Sequence, residues 1–367
     1  MDKFWLNAAF YQASFAHGST GKNPAVGCVI VKNNEIVGIG YTSNGGRPHA
    51  EENALKMAGK NALGSTLYIT LEPCCLEDNY NSCTNQIINA GVKKVVIGLL
   101  DYNKLTLKKG INTLKKNGIE AKLISIDFEN FLVNYSHYCF HTLKRPLISV
   151  KLANSADGKI TYSNGKSKWI TSELSRKHVH HVRSYHDAIL VGSNTFFKDN
   201  PSLTTRVEGF KKSTCRIILD TNLILDKKSK LVKTVKNNPL IIFTNKNLSS
   251  TKAKYLISKG IKIFYIKKLA DGYLCILSVI KKLYELKFQK ILIEGGAKTA
   301  SSFLNRGYCD LMYIYRANLF VGNEGLHSFS NLKNNRSFFL HDEIKLNDNK
   351  LEIWVNKNLK NIYNQII

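Results

Sequence analysis

Short apolar runs of strand length recur along the chain between stretches of helical character, and this alternation dictates an α/β fold. In the first part, strands are expected over 26–31, 35–41, 66–70 and 95–99, with a last one ending near 125. Asn33 and Asn34 between the first two read as a hairpin turn. Helices are expected from Asp2 to about Ala16, with Phe4, Ala8, Tyr11 and Phe15 as the apolar face, and over 49–58 and 84–90. Segment 130–144 reads as a helical connector broken at Arg145-Pro146, because proline disfavours helical backbone in the residue before it. A second alternating run follows, with strands over 148–152, 188–191, 216–219, 240–243, 262–265 and 290–293, then 311–315 and 351–355. A chain of 367 residues exceeds one ordinary core, so two domains are expected, 1–145 and 146–367.

Bulk properties narrow the function classes. An apolar fraction of 44 % suits a packed globular chain rather than a disordered one. No apolar run reaches the roughly 18 residues of a membrane span, so no membrane partner is expected. The opening Met1-Asp2-Lys3-Phe4-Trp5 lacks the order of a signal peptide, which makes the cytoplasm the expected location. Cys28, Cys139, Cys215, Cys275 and Cys309 stand singly and read as plain thiols, whereas Cys74, Cys75 and Cys83 cluster. The net charge of +26 would favour anionic ligands. Its lysines are dispersed with no arginine-rich or aromatic-interleaved tract, so phosphorylated metabolites are expected rather than nucleic acid.

The cluster carries chemistry. His49-Ala50-Glu51 precedes Pro73-Cys74 and Cys83, and one imidazole with two thiolates fills three of zinc's four positions, leaving one for water. Metal coordination lowers the pKa of that water, and Glu51 could move protons between it and a departing amine. Residues two apart on a regular helix point nearly opposite ways. His49 and Glu51 can therefore share a site only at a helix start, and Gly45-Gly46-Arg47-Pro48 supplies a breaker just before it. Two alternatives stand beside a catalytic site: a closed zinc site with Cys75 as fourth ligand, or no metal at all. Asn23-Pro24 ahead of the first strand is a turn whose amide suits hydrogen bonding to a heterocycle.

His-x-Glu followed by Pro-Cys is the arrangement of zinc deaminases. With Asn23-Pro24-Ala25-Val26-Gly27 and Thr70-Leu71-Glu72-Pro73-Cys74, the first half resembles the deaminase domain of the bifunctional riboflavin-biosynthesis deaminase/reductase family. The second half resembles that family's reductase domain through Lys151-Leu152-Ala153-Asn154-Ser155-Ala156-Asp157-Gly158, Ser167-Lys168-Trp169-Ile170-Thr171, Asp199-Asn200-Pro201-Ser202-Leu203-Thr204-Thr205-Arg206 and Ile293-Glu294-Gly295-Gly296. The resemblance extends to about residue 325. It implies a cytidine-deaminase-like α/β/α sandwich followed by a dihydrofolate-reductase-like α/β domain. It also implies two successive reactions on a diaminopyrimidinone ribotide: loss of the 2-amino group as ammonia, then reduction of ribosyl to ribityl by NADPH. A homo-oligomer is expected. A nucleic-acid deaminase would share the zinc chemistry but leaves 146–325 unexplained.

Residue by residue, the resemblance implies zinc on His49, Cys74 and Cys83, with Glu51 as proton donor and acceptor. It implies NADPH near Ala153, Trp169, Thr195, Asp199, Thr221 and the turn of Gly296, Ala297, Lys298, Thr299, Ala300, Ser301 and Ser302. Substrate is implied near Asn23, Ser167, Arg183, Leu203, Arg206 and Glu294. Arg183 and Arg206 suit phosphate, which a guanidinium fork binds bidentately. Trp169 would stack on cofactor or fill core. The chain departs from the family between Cys74 and Cys83: a Ser-His-His-Gly stretch ending in Thr-Pro-Pro is replaced by residues that include Glu77 and Asp78. Ala156 and Tyr102 likewise replace a usual leucine and proline.

Overall fold

The computed structural model describes residues 1–75, 82–162, 169–209, 213–333 and 336–366. The chain divides into two compact units, Met1–Lys144 and Arg145–Ile362, and residues from Tyr363 onward group with the first.

In the first unit the elements run α1 (Asp2–Ser14), β1 (Gly27–Lys32), β2 (Glu35–Tyr41), α2 (Ala50–Ala58), β3 (Thr66–Leu71), α3 (Cys83–Asn89), β4 (Lys94–Leu99), α4 (Lys109–Lys116), β5 (Glu120–Leu123), α5 (Phe128–Val133) and α6 (Tyr135–His141). Their sheet has the order β2-β1-β3-β4-β5. β1 is antiparallel to β2 and β3, and β3, β4 and β5 are parallel. Asn33 and Asn34 turn the first hairpin with φ of 50° and 67°, the left-handed conformation that a two-residue turn demands.

The structure reverses the expected face of α1. Phe4, Tyr11 and Phe15 are exposed, while Leu6, Ala9, Phe10 and Ala13 are buried. A Cβ on Gly27 would lie 1.9 Å from the Ala9 carbonyl oxygen, so helix and strand are in backbone contact. Only small residues fit that seam, and the helix is apolar on both sides, so periodicity alone could not choose between them. At the far end of the unit, Tyr363 packs edge-on against Phe128 at 5.5 Å, and its hydroxyl donates to the Ile126 carbonyl at 2.7 Å.

The second unit comprises β6 (Leu147–Asn154), α7 (Glu173–Ser184), β7 (Ala188–Gly192), α8 (Ser193–Asp199), β8 (Cys215–Leu219), α9 (Lys230–Lys233), β9 (Leu240–Thr244), α10 (Thr251–Ser258), β10 (Lys262–Tyr265), α11 (Ile276–Glu285), β11 (Lys290–Glu294), α12 (Ala297–Leu304), β12 (Leu311–Arg316), β13 (Phe338–Leu346) and β14 (Asn349–Asn356); α13 (Lys357–Ile366) runs across the division. The sheet order is β10-β9-β8-β7-β11-β6-β12-β14-β13. Strands β10 to β12 of that order are parallel, and β14 and β13 close the edge antiparallel. Strand alternation sends Ala188 and Leu190 into one core and Ile189 and Val191 into the other, so the central strands are apolar throughout. β13 escaped the sequence reading because an outer strand carries charge: Asp342, Glu343 and Lys345 are exposed.

One buried histidine couples this unit to pH. His186 sits between the Val182 carbonyl, 2.7 Å from Nδ1, and the Ser149 hydroxyl, 2.9 Å from Nε2. A neutral ring that donates to the first and accepts from the second is fully paired, and burial pushes its pKa from 6.5 down to about 4. The unfolded chain takes up that proton below about pH 6.5 while the folded one does not, so the stability is complete above this pH and is lost as pH falls toward 4. Urea unfolding should show a loss of about 3 kcal/mol over this window, with a shallower slope in His186→Gln.

Candidate active sites

In the first unit, the chain reaches His49 through Gly45 and Gly46, with φ of 81° and 98°. The Asn23 amide donates to the Gly46 carbonyl at 3.2 Å, and a Cβ on Gly46 would lie 2.0 Å from that nitrogen, so only glycine lets the two segments pass. His49 is extended, with φ −72° and ψ 167°, and is the residue before α2; Glu51 lies in the first turn. The irregular entry turns both side chains toward Cys83, the first residue of α3, whose capping Ser82 accepts from the Asn85 amide at 3.3 Å. Cys74 follows β3, with its carbonyl held by the Thr84 amide at 3.1 Å and its sulfur facing the Cys83 amide at 3.5 Å.

His49 Nδ1 lies 3.2 Å from Cys83 Sγ and 3.7 Å from Cys74 Sγ. The ligand atoms of all three residues fall within 4.8 Å of one another. Tetrahedral zinc with bonds of about 2.0–2.3 Å sets its donors roughly 3.6 Å apart, so this trio fits the ion. Cys75 does not join the trio, and among the described residues no fourth side chain closes the site. The charges agree with that fit: Cys74 is held well below the usual thiol range by hydrogen bonds from the Cys83 thiol and His49. Glu51 is 4 % exposed, and burial pushes its carboxyl up to about 7. The altered stretch with Glu77 and Asp78 lies outside the described residues.

In the second unit a cleft of about 950 Å³ opens at the carboxyl ends of β6, β7, β8 and β11, where an open α/β sheet holds ligands. Ala153, Trp169, Thr195, Asp199, Thr221, Gly296, Ala297, Lys298, Thr299 and Ser302 line it, as do Arg183, Leu203, Arg206 and Glu294. Ala300 and Ser301 do not: the turn of α12 sends Ala300 into the core, and the Ser301 hydroxyl accepts from the Ser330 amide at 3.0 Å. Ser167 lies outside the described residues. Gly295 and Gly296 have φ of 79° and 72° and open α12 toward the cleft, with Thr195 packed so closely that a Cβ on Gly295 would lie 3.0 Å from its methyl. Trp169 fills no core: it is 61 % exposed, with the Arg176 guanidinium 4.3 Å from its ring centre.

Arg183 grips Glu294 with two hydrogen bonds of 2.5 and 2.8 Å and spends a third, 2.8 Å, on the Thr204 carbonyl. Its guanidinium is therefore committed to a carboxylate rather than presented to phosphate, while Arg206 stands at the cleft wall. Lys151 completes a charged trio that the sequence reading passed over. Burial pulls its amine down, the nearby Glu294 carboxylate opposes that shift, and it lies 5.6 Å from the Tyr315 ring centre. A lysine inside the apolar run of a central strand was the available signal.

These features define a class: a zinc deaminase domain followed by an α/β reductase domain. Residues 1–99 match the family described as the cytidine and deoxycytidylate deaminase zinc-binding region, and residues 146–356 match the RibD C-terminal domain. The chain is 40 % identical to riboflavin biosynthesis protein RibD of Aquifex aeolicus, covering 89 % of each chain, and 36 % identical to RibD of Bacillus amyloliquefaciens, covering 88 % of this chain and 86 % of that one. Among solved structures it is similar to a diaminohydroxyphosphoribosylaminopyrimidine deaminase/5-amino-6-(5-phosphoribosylamino)uracil reductase from Thermotoga maritima, with a TM-score of 0.84 and 30 % identity over 97 % of this chain and 98 % of that one. The chain belongs to the RibD family of bifunctional riboflavin-biosynthesis enzymes, and it deaminates and reduces.

Protein purified without chelators should carry one zinc equivalent by elemental analysis, and Cys74→Ala should lose it. Arg183→Ala leaves Glu294 buried without its direct ion-pair partner, with Lys151 and His180 nearby; denaturant unfolding of the second unit should show a loss of about 3 kcal/mol.

Proposed function

We propose that residues 1–145 deaminate the diaminopyrimidinone ribotide and that residues 146–367 then reduce its ribosyl group with NADPH to ribityl. The convergence of His49, Cys74 and Cys83 beside a buried Glu51 carries this reading. Zinc, when bound to those three side chains, supplies the Lewis acidity that makes water nucleophilic near neutral pH. Glu51, buried beside the trio and hydrogen-bonded to Cys83, would take a proton from that water and deliver it to the departing amine. Asn23, held by Gly46 next to the His49 entry, orients the heterocycle through its amide.

In the second unit, Gly295 and Gly296 leave room for the NADPH diphosphate at the start of α12, with Thr195, Asp199, Lys298, Thr299 and Ser302 around it. NADPH, when bound, would supply the hydride for the sugar's C1′, taken in its open, imine-like form. Glu294, held in place by Arg183 and kept ionised by it, faces the ribotide from the cleft wall, with Lys151 beside it as a further polar group. Arg206 takes the 5′-phosphate, and Leu203, with Ala153 and Trp169, forms the apolar wall.

Among the described residues no helix is long and apolar enough to cross a membrane. The exposed Phe4 and Tyr11 on α1, with Phe15 just past its end, support a homo-oligomer. The positive charge suits phosphorylated small molecules.

Incubation with the ribotide should release ammonia first and oxidise NADPH second. Glu51→Gln should cut ammonia release by roughly 10²- to 10⁴-fold, retain zinc, and still oxidise NADPH when given the deaminated ribotide. Unchanged ammonia release would remove Glu51 from the mechanism.

A further inference from the structure

Glu72, two residues before the ligand Cys74, is 4 % exposed and yet carries a carboxylate that the reaction does not use. Both its oxygens are spoken for. Oε2 accepts from the backbone amides of Asp101 at 3.2 Å and Lys108 at 3.0 Å, and Oε1 accepts from that of Ile111 at 3.1 Å. Asp101 opens the loop after β4, and Lys108 and Ile111 flank the first turn of α4, where amides have no partner within the helix. Lys108 offers no side-chain cap there. One buried carboxylate from the Cys74 segment therefore does the capping for a helix more than thirty residues away in sequence.

The same segment is clamped from its other side. Gly110, in the first turn of α4, lies so close that a Cβ would stand 2.2 Å from the Pro73 carbonyl oxygen and 3.1 Å from Glu72 Cγ. The Glu72 amide donates to the Leu99 carbonyl at 2.8 Å, and the Cys74 carbonyl accepts from the Thr84 amide at 3.1 Å. Pro73 and Cys74 are thus fixed between β4, α4 and α3, with the Cys74 sulfur aimed at His49.

The geometry points to Glu72 as a positioning residue: its carboxylate straps the 101–111 segment against Pro73 and so sets where the Cys74 sulfur meets the metal. The inference rests on the zinc reading of this site. It assigns α4 and Gly110 to the rear support of the deaminase centre. Groups that orient metal ligands from behind typically change metal affinity or activity by roughly 10- to 100-fold when removed.

Two variants test it by different routes. Glu72→Gln keeps the shape but turns an amide NH₂ toward amide donors. Gly110→Ala leaves Glu72 untouched and would ordinarily favour a helix, yet pushes on Pro73. Each is loaded with Co²⁺ and its visible absorption recorded, zinc affinity is measured by competition with a chelator, and ammonia release and NADPH oxidation are followed on the same full-length chain. Both variants should shift the cobalt bands and weaken zinc affinity or ammonia-release kcat by roughly 10- to 100-fold, with NADPH oxidation unchanged when the deaminated ribotide is supplied. Wild-type bands and affinity in either variant overturn the assignment, as does a change confined to the melting temperature. A wild-type chain that binds cobalt but releases no ammonia would count against the deaminase reading, while the cobalt bands would still decide the role of Glu72.

Discussion

Two sulfurs and an imidazole crowded within 4.8 Å form an arrangement that water alone would not maintain. Without a cation, the sulfurs compete for protons: Cys74 is driven toward thiolate while Cys83 is driven the other way. A divalent ion held by His49, Cys74 and Cys83 would favour thiolate on both sulfurs, with release of the Cys83 proton. Much of the first unit serves to hold this crowding in place. The glycines before His49, the serine cap before Cys83 and the end of β3 each deliver one donor from a different element.

The second unit meets a similar electrostatic constraint without a metal. Glu294 is buried at the end of a central strand, and its charge is tolerated because Arg183 engages both oxygens and Lys151 stands near. Burying a carboxylate unpaired would cost several kcal/mol. The paired arrangement holds the carboxylate ionised at the cleft, with the guanidinium also fixed by the Thr204 carbonyl. Each unit thus buries one acidic side chain at its site, Glu51 beside the His49, Cys74 and Cys83 trio and Glu294 against Arg183.

Much of this was legible in the sequence because the signals were local. Asn33-Asn34 could hardly be anything but a tight turn between alternating apolar runs, and the His49, Glu51, Cys74 and Cys83 spacing carries its chemistry with it. What escaped notice depended on tertiary partners. The buried side of α1 was decided by Gly27 pressing against Ala9, a contact invisible from periodicity. β13 hid behind the charges of an outer strand. Arg183 looked like a phosphate ligand until its partner, more than a hundred residues distant, came into view. Ala300 and Ser301 belonged to a segment that the resemblance treats as continuous, but a helix can turn only some of its residues toward a cleft.

The packing of Tyr363 against Phe128 has a bearing on biosynthesis. A ribosome that has completed residue 144 has made nearly all of the first unit but not the ring that seals its aromatic end. The nascent polypeptide must carry that unfinished edge, with Phe128 and Phe131 lacking their companion, while some two hundred further residues are translated and fold. The aromatic edge of the first unit is therefore finished only once Tyr363, more than two hundred residues after Lys144, has been made.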